Sequence, residues 1–483
     1  MPKTKMRDIV VILPGITGSV LQKDGEDIWA VSGQAAWQAL ITSGESFQQL
    51  KLDHDDPELE DLGDGIKAVR VVEDAHFVPG LVKIDGYTAI SQAITDSFDV
   101  VPGENFFKFP YDWRRDNRAN ARILKRFVDE RLKKWRESPN GAEDGKVILL
   151  AHSMGGLISR YYLEVLEGWQ DCRALVTFGT PHRGSVNAVN FLANGFKKLF
   201  FDLTEVMRSL PSVYQLMPIY PMLKIDNEYK RIAEAGIDLP NIDKAKAENA
   251  LKFHHEIRDA VNSHRQDANY LANKYALIPV VGTKQPTFQS ANLTTNGQIK
   301  ISLELPEGAD PILGSGDGTV PYISAIPIEL STEYRQSYVA ERHGSIQNHG
   351  QVLDQLCNLI AAMQVRGTEN FQDPGIVEVS REPAAISLDL DDVYLPDEVV
   401  KFSASIINAN EEFGKLKGKI TSVSDEDFSL RADFQKQDDQ WVLHLDKNAF
   451  PTGGLHRLEV RVEKGGLKAP TPVHDLFEVI KQV

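Results

Sequence analysis

Short apolar runs alternate with amphipathic stretches over the first two thirds of the chain. The runs at 9–13, 147–150, 175–178 and 277–281 are four or five residues long and rich in aliphatic side chains, which is typical of strands buried on both faces. Between the runs, apolar residues recur every three or four positions, as they do along one face of a helix. This alternation predicts a parallel sheet covered by helices on both sides. Helices are predicted at 87–97, 120–134 and 351–363, and further strands at 105–109 and 336–340.

The alternation of strands and helices is interrupted twice, at about residues 20–80 and 186–270. We interpret both segments as cap or lid insertions that lie over the sheet. The first segment carries Trp29 and Trp37, which would either contact lipid or pack in the interior. The sequence leaves both alternatives open.

The period of the pattern changes to two after residue 375. Segments such as VVKFSASI and HRLEVRV alternate apolar and polar residues, as half-buried strands do. A tail of such short strands predicts an all-β sandwich of the immunoglobulin-like kind. We therefore divide the chain into an α/β domain at 1–370 and a sandwich at 376–483. Because separate domains meet through modest interfaces, we expect few contacts to cross the boundary, and a chain ending near residue 375 to fold alone.

The composition excludes several classes of protein. The 483 residues include 53 Lys and Arg against 69 Asp and Glu, a net charge of −16, which disfavours nucleic-acid partners. No stretch approaches the ~18 apolar residues of a membrane span, and the N-terminus lacks the apolar region of a cleaved signal peptide. The two cysteines, Cys172 and Cys357, fit neither a disulfide framework nor a metal site. We expect a cytoplasmic protein, or one exported without a cleaved signal, that uses no metal or cofactor.

Residues 146–169 have the pattern of a nucleophile elbow. An apolar strand turns sharply into a helix, and Ser153 stands at the apex between two small residues, Ala151 and Gly155. A turn this tight imposes strained backbone angles on the serine and excludes bulky side chains two positions away on either side. A serine that caps a helix is the simpler alternative. The strand before Ser153 and the helix after it favour the nucleophile.

A glycine-rich turn at 14–19 follows the first predicted strand. Its backbone N–H groups would lie at the carboxyl edge of the sheet, close to the elbow. In α/β hydrolases one oxyanion-hole N–H comes from such a loop, and another from the residue after the nucleophile. We therefore name the backbone N–H groups of Ile16 and Met154 as candidate substrate-binding donors. A plain tight turn is the alternative for Ile16.

The acid and the base of a triad would follow the serine in the order acid, then histidine. The glycine-rich segment 314–321 presents Asp317 from a strand end; a turn-capping aspartate is the alternative, and Asp310 is the nearest other carboxylate. Chain order leaves His343 and His349 as candidate bases. We prefer His349, because it lies on the loop that enters the last predicted helix.

With these residues in place, the chain resembles the lecithin:cholesterol acyltransferase-like family of α/β hydrolases. The resemblance depends on five motifs in order over about residues 8–365: LPGITGS, PYDWR, AHSMGG, GDGTVP and the histidine loop. It implies the α/β-hydrolase fold with lid insertions, and a triad of Ser153, Asp317 and His349. Family members that work outside the cell carry disulfides in these regions, which this chain lacks.

The expected function is that of a serine-dependent ester hydrolase. His349 would take the proton of Ser153, and an acyl-serine would then pass its acyl group to water or to an alcohol. The substrates would be lipid or other acyl esters, reached through transient membrane contact. Two alternatives remain: a non-catalytic scaffold, and a protein led by interactions, whose sandwich binds a protein partner or a membrane.

Overall fold

The computed structural model describes residues 3–29, 48–73, 75–78, 82–198, 201–330 and 338–366, and in the C-terminal part 384–395, 398–409, 413–423, 425, 427–446, 449–451, 453–464, 466 and 469–480. The predictions on Trp37 and on the segment around residues 370–375 lie outside these residues. Within the described ranges, no helix is both long enough and apolar enough to cross a membrane.

A parallel sheet of six strands forms the centre of the α/β domain. The strands in chain order are β1 Ile9–Leu13, β2 Phe106–Lys108, β3 Val147–His152, β4 Cys172–Phe178, β5 Ala276–Gly282 and β6 Tyr338–Val339. Their spatial order is β6-β5-β4-β3-β1-β2, and every neighbouring pair is parallel. The loops that follow these strands therefore leave the sheet at one edge. The predicted parallel sheet is confirmed.

Helices cover both faces of the sheet. Along β3, Val147, Leu149 and Ala151 join one apolar core, whereas Ile148 and Leu150 join the other, because side chains alternate across a strand. The helix at Asn117–Glu137 contributes to the first core, and those at Thr88–Ser97 and Gly350–Arg366 contribute to the second. The helices are α1 Thr88–Ser97, α2 Asn117–Glu137, α3 Met154–Arg160, α4 Val186–Asn194, α5 Thr204–Ser209, α6 Pro211–Gln215, α7 Lys244–His264, α8 Ala268–Asn273, α9 Tyr322–Ala325 and α10 Gly350–Arg366.

Smaller elements occupy the insertions and loops. Short 3-10 helices span Gly168–Asp171, Ile232–Glu234, Pro311–Leu313, Ile328–Leu330 and Ile346–Asn348. The first insertion forms an antiparallel sheet of Ser19–Lys23, Glu26–Trp29 and Ile66–Val71, and a hairpin of His76–Val78 and Val82–Ile84. The remaining short strands are Thr4–Lys5 with Phe98–Asp99, Lys197–Lys198 with Phe201–Asp202, and the sheet of Leu223–Ile225, Glu228–Lys230, Ser290–Leu293 and Ile299–Ser302.

Of the two alternatives for Trp29, contact with lipid or packing in the interior, the structure shows packing in the interior. It is 1% exposed and packs edge-on against Trp113, with 5.0 Å between the ring centroids. The first insertion thus contributes at this point to the interior of the α/β domain.

The C-terminal domain consists of two sheets around a core of its own. Its strands are β7 Ala385–Leu390, β8 Val393–Tyr394, β9 Val400–Ile407, β10 Leu416–Ser422, β11 Ser429–Asp433, β12 Gln435–Gln437, β13 Gln440–Leu445, β14 Gly454–Val462 and β15 Val473–Val479. One sheet has the spatial order β7-β9-β13-β12, the other β8-β15-β14-β10-β11, and all pairs except β8 with β15 are antiparallel. The all-β domain is confirmed.

Charged contacts connect the two domains. Arg457 pairs with Asp85, and the ammonium group of Lys83 lies 2.7 Å from Asp392 and 3.2 Å from Asp475. The expectation that few contacts cross the boundary is therefore wrong. A change of hydrophobic period marks where a second core begins, but it carries no information on polar contacts between two cores.

The helix behind the elbow is shorter than its pattern predicts. Helix α3 continues as a π-helical turn, Tyr161–Val165, and the chain then leaves the helix at Glu167, whose backbone is left-handed with φ 60°. Trp169 belongs to the 3-10 helix that follows.

A buried carboxylate fixes this helix against the second insertion. The side chain of Glu164 is fully buried and accepts hydrogen bonds from Tyr275 (2.7 Å), His264 (2.9 Å), Tyr270 (3.1 Å) and Arg160 (3.2 Å). Since a buried carboxylate is stable only when it is paired, these partners hold the helix in one position. The hydrogen bond to Glu164 raises the pKa of His264 to about 9.

The stability of the fold should fall as the pH rises through about 9, because His264 then loses its proton. Its folded pKa lies above the ordinary value of 6.5, so the imidazolium stabilises the fold fully below about pH 6.5. Thermal melting of wild type and His264→Gln from pH 6 to 10 measures the effect. We expect the melting temperature of the variant to be lower near pH 6.5 and the difference to shrink above pH 9. A difference that stays constant over this range would contradict the assignment.

Candidate active site

The backbone of Ser153 has the strained geometry of an elbow. Its φ of 51° and ψ of −125° lie in a region that side-chain-bearing residues rarely adopt. The Ser153 N–H donates to Phe178 O, and the hydroxyl of Thr180 donates to Ser153 O, both at 2.9 Å. The serine is thus fixed between the ends of β3 and β4.

Close approach of the backbone explains the glycines around the serine. A Cβ atom on Gly155 would lie 2.5 Å from Pro14 O, so only glycine lets α3 pack against the 14–19 turn. At Gly179, where φ is +55°, a Cβ atom would lie 2.8 Å from Asp317 Oδ2 and 2.9 Å from His343 Nδ1. Gly155 thus brings backbone against the 14–19 turn, and Gly179 brings it against Asp317 and His343.

Three side chains form a hydrogen-bonded chain at the carboxyl edge of the sheet. His343 Nε2 lies 2.9 Å from Ser153 Oγ, and His343 Nδ1 lies 2.8 Å from Asp317 Oδ2. The other carboxylate oxygen of Asp317 accepts the backbone N–H groups of Thr319 (2.9 Å) and Val320 (2.7 Å). Since the buried carboxylate can only accept, Nδ1 carries the proton, and Nε2 is free to accept the serine hydroxyl proton.

The structure places His343 beside Ser153, where the sequence predicted His349. His349 is 4% exposed and lies near His474 of the C-terminal domain; burial lowers its pKa. Strand β6 ends at Val339, at the edge of the sheet, and four further residues bring the chain to the serine. The chain then turns through the 3-10 helix Ile346–Asn348, so His349, directly before α10, does not reach the serine.

The predicted oxyanion donors lie beside the serine. Ile16 lines the same cavity as Ser153, within a turn that Gly18 N closes onto Gly15 O at 3.0 Å. Met154 is the first residue of α3, so its N–H has no partner within the helix. Both N–H groups remain predictions as oxyanion donors.

Aromatic side chains far apart in sequence hold the 14–19 turn. Tyr111 donates to Pro14 O (2.8 Å), Trp29 to Thr17 O (3.0 Å) and Trp113 to Ser19 O (3.2 Å). Tyr111 and Trp113 belong to the PYDWR motif, which the sequence singled out without a role. The structure shows that this motif fixes the turn beside Ser153.

A relay of hydrogen bonds joins the turn to the histidine loop. Gly15 N–H donates to the Tyr87 hydroxyl (2.8 Å), which pairs with His152 Nδ1 (2.9 Å), and His152 Nε2 pairs with His343 O (3.0 Å). Because the carbonyl of His343 can only accept, His152 Nε2 carries the proton, and the unprotonated Nδ1 of the neutral ring accepts the hydroxyl proton of Tyr87. Burial first, and the nearby His343 second, lower the pKa of His152 to about 3. No sequence pattern predicts this relay, because its members are far apart in the chain.

A cavity of about 200 Å³ opens beside Ser153. One part of its wall is apolar and comes from the second insertion, with Phe191, Met207, Val213 and Leu216. Another part carries charged groups from both domains, namely Lys83, Arg342, Asp392 and Asp475. The cavity therefore combines an apolar wall with a charged one.

The parallel sheet and the strand-turn-helix around Ser153 are the architecture of the α/β-hydrolase fold. The sequence model of the lecithin:cholesterol acyltransferase family matches residues 64–278, which include the PYDWR motif and the elbow. The resemblance to that family is thereby confirmed over this region.

The comparisons with individual proteins cover smaller parts of their sequences. The lysosomal phospholipase A and acyltransferase of Homo sapiens is 30% identical over 127 residues, which are 24% of this chain and 29% of that protein. The lecithin-cholesterol acyltransferase-like 4 protein of Arabidopsis thaliana is 25% identical over 135 residues, 24% of this chain and 23% of its own. The chain thus matches less than a third of the length of these curated relatives. Among solved structures, a chain of the Tle4–Tli4 complex aligns with 75% of this chain and 99% of its own, at 14% identity and a TM-score of 0.48.

We expect His152 to stay neutral, with its proton on Nε2, from about pH 5 to pH 9, because its pKa of about 3 lies below that range. Nitrogen NMR of protein labelled in its histidines reports both the protonation state and the tautomer. The His152→Gln variant identifies the signals, and Tyr87→Phe should shift them by removing the donor to Nδ1. Titration between pH 5 and pH 8, or a proton on Nδ1, would contradict the relay.

Proposed function

We propose that this protein is a serine-dependent hydrolase of lipid or other acyl esters. The observation that carries the proposal is the hydrogen-bonded chain from Ser153 Oγ to His343 Nε2 (2.9 Å) and from His343 Nδ1 to Asp317 Oδ2 (2.8 Å). The confirmed family resemblance supports it, since the relatives named above are phospholipase and acyltransferase proteins.

The chemistry follows from the positions of the protons. His343 Nε2 takes the hydroxyl proton as Ser153 Oγ attacks the ester carbonyl, and Asp317 stabilises the imidazolium that forms. When the tetrahedral intermediate collapses, the ester C–O bond breaks and His343 returns the proton to the departing alcohol. Water, or a second alcohol, then attacks the acyl-serine with His343 again as base.

The negative charge of the tetrahedral intermediate needs N–H donors. The backbone N–H groups of Ile16 and Met154 take this role in the proposal, from the 14–19 turn and from the start of α3. Each such donor is typically worth about 3 kcal/mol of transition-state stabilisation.

The cavity beside the serine favours an amphiphilic ester. Its apolar wall, with Phe191, Met207, Val213 and Leu216, suits an acyl chain, and its charged wall suits a polar alcohol part. Contact with a membrane that holds such lipids is part of the proposal. Product analysis with a phospholipid and a lipid alcohol distinguishes hydrolysis from acyl transfer.

The C-terminal domain is of the immunoglobulin-like kind in this proposal. Its strand order supports this: β7, β9, β13 and β12 correspond to the A, B, E and D strands, and β15, β14 and β10 to G, F and C. A protein partner bound by this domain, and a location in the cytoplasm or outside the cell without a cleaved signal, stay predictions.

Replacing the nucleophile tests the proposal directly. We expect Ser153→Ala to lower kcat for a short-chain aryl ester by about a millionfold, as the loss of a triad nucleophile does. The variant should also fail to react with a fluorophosphonate probe. Ser138→Ala, at the end of α2 and remote from the site, is the matched control and should behave as wild type. Activity of Ser153→Ala within a factor of ten of wild type would remove the serine from the mechanism.

The choice of histidine has its own test. His343→Ala should approach the inactivity of the serine variant, because among the described residues His343 is the base within hydrogen-bond distance of the Ser153 hydroxyl. His349→Ala should retain kcat within a few-fold of wild type and lose thermal stability, since it removes a buried imidazole at the domain interface. The two kcat values decide the matter, and the reverse order would return the role of base to His349.

A further inference from the structure

The loop that carries His343 is part of the interface between the domains. Glu341, two residues before His343, is fully buried, and its carboxylate accepts the backbone N–H and the imidazole Nδ1 of His474, both at 2.9 Å. The same carboxylate accepts the N–H of Arg342 at 2.8 Å. The C-terminal domain thus fixes the backbone of this loop directly before the histidine.

The next residue is held by a second set of contacts. Arg342 Nε lies 3.0 Å from Asp475 Oδ2, and Arg342 Nη1 donates to Leu388 O at 3.1 Å. The side chain of Asp475 is 3% exposed and also pairs with Lys83 at 3.2 Å. The guanidinium therefore contacts two different strands of the C-terminal domain, β15 and β7.

The loop that carries Asp317 is connected to the same domain. Gln285 is buried; its side-chain amide donates to Ile386 O (2.9 Å) and accepts from Leu388 N (3.0 Å). The backbone N–H of Gln285 donates to Gly316 O at 3.0 Å, next to Asp317. Strand β7 is therefore hydrogen-bonded to a residue that pairs with the aspartate loop.

We propose that the C-terminal domain is a working part of the esterase site, and that Arg342 with Asp475 positions the catalytic histidine. The proposal rests on the proposed function above. A catalytic base works only in a narrow range of distance and angle, and a misplacement of 1 Å can cost a factor on the order of a hundred in rate. Hydrogen bonds and ion pairs are directional, whereas apolar packing is not. The polar contacts that the C-terminal domain makes with the histidine loop and with the aspartate loop can therefore set the geometry of the triad.

The test uses full-length variants. Asp475→Asn removes the negative charge with little change in shape, Arg342→Gln removes the guanidinium with its contacts to Asp475 and Leu388, and the double variant removes both partners. Glu463→Gln is the matched control, because Glu463 pairs with Lys417 at 3.1 Å on an exposed part of the same domain. The measurements are kcat and KM for a short-chain aryl ester, the rate and final extent of fluorophosphonate labelling, and the melting temperature.

We expect each single variant to lose on the order of tenfold or more in kcat and in labelling rate, with KM changed less than about threefold. Labelling should still reach completion, which shows a folded protein with its serine in place. The double variant should lose no more than the worse single variant, because the two residues act as one unit. Arg342→Lys, which keeps the charge, should recover part of the rate. Glu463→Gln should match wild type.

The outcomes separate this inference from the proposed function. Wild type that neither hydrolyses the ester nor reacts with the probe would overturn the proposed function itself. An active wild type with equally active Asp475→Asn and Arg342→Gln would overturn the positioning role alone, and so would independent, multiplicative losses in the double variant. If Asp475→Asn fails to fold, Arg342→Gln against Arg342→Lys decides by the same measurements.

Discussion

The backbone of Ser153 is the constraint on which the rest of the site depends. A residue with a side chain in this conformation costs on the order of 1–3 kcal/mol, and it persists only where the surroundings leave no alternative. Here Phe178 and Thr180 fix its two backbone groups, and Gly155 brings α3 against the 14–19 turn. The buried Glu164 holds the far end of the same helix. The strained backbone of Ser153 is thus held in place by contacts with the end of β4, with the 14–19 turn and with the partners of Glu164.

The reactive groups come from separate loops, and buried polar contacts set their relative positions. Apolar packing stabilises the sheet and its helices, but it is not directional. A buried donor or acceptor that loses its partner costs about 1–3 kcal/mol, so each such contact resists displacement. Tyr87 and His152 connect the 14–19 turn to the histidine loop, and Glu341 and Gln285 connect the histidine and aspartate loops to the second domain.

The sequence predicts what repeats locally and misses what depends on contacts between distant residues. The buried strands, the elbow at Ser153 and the change of period before the β domain follow from apolar spacing and small residues. Asp317 follows from chain order and its glycine-rich turn, and the structure places it in contact with the histidine. The choice between His343 and His349 depends on where the loop after β6 turns, and spacing does not encode that turn. The bond between Tyr87 and Gly15 joins residues 72 positions apart.

The change of hydrophobic period locates the boundary between two apolar cores, but the polar contacts of the proposed active site cross that boundary. Lys83 and Arg342 meet Asp392 and Asp475 there, two charges of each sign. Pairs as buried as these add little net stability, because desolvation of the charges offsets their attraction. Their effect is on specificity: a shift of the C-terminal domain by one residue along β15 would leave the carboxylates and cations unpaired. Because these pairs form in only one relative position of the two domains, they also fix the position of the adjacent loop. That loop carries His343.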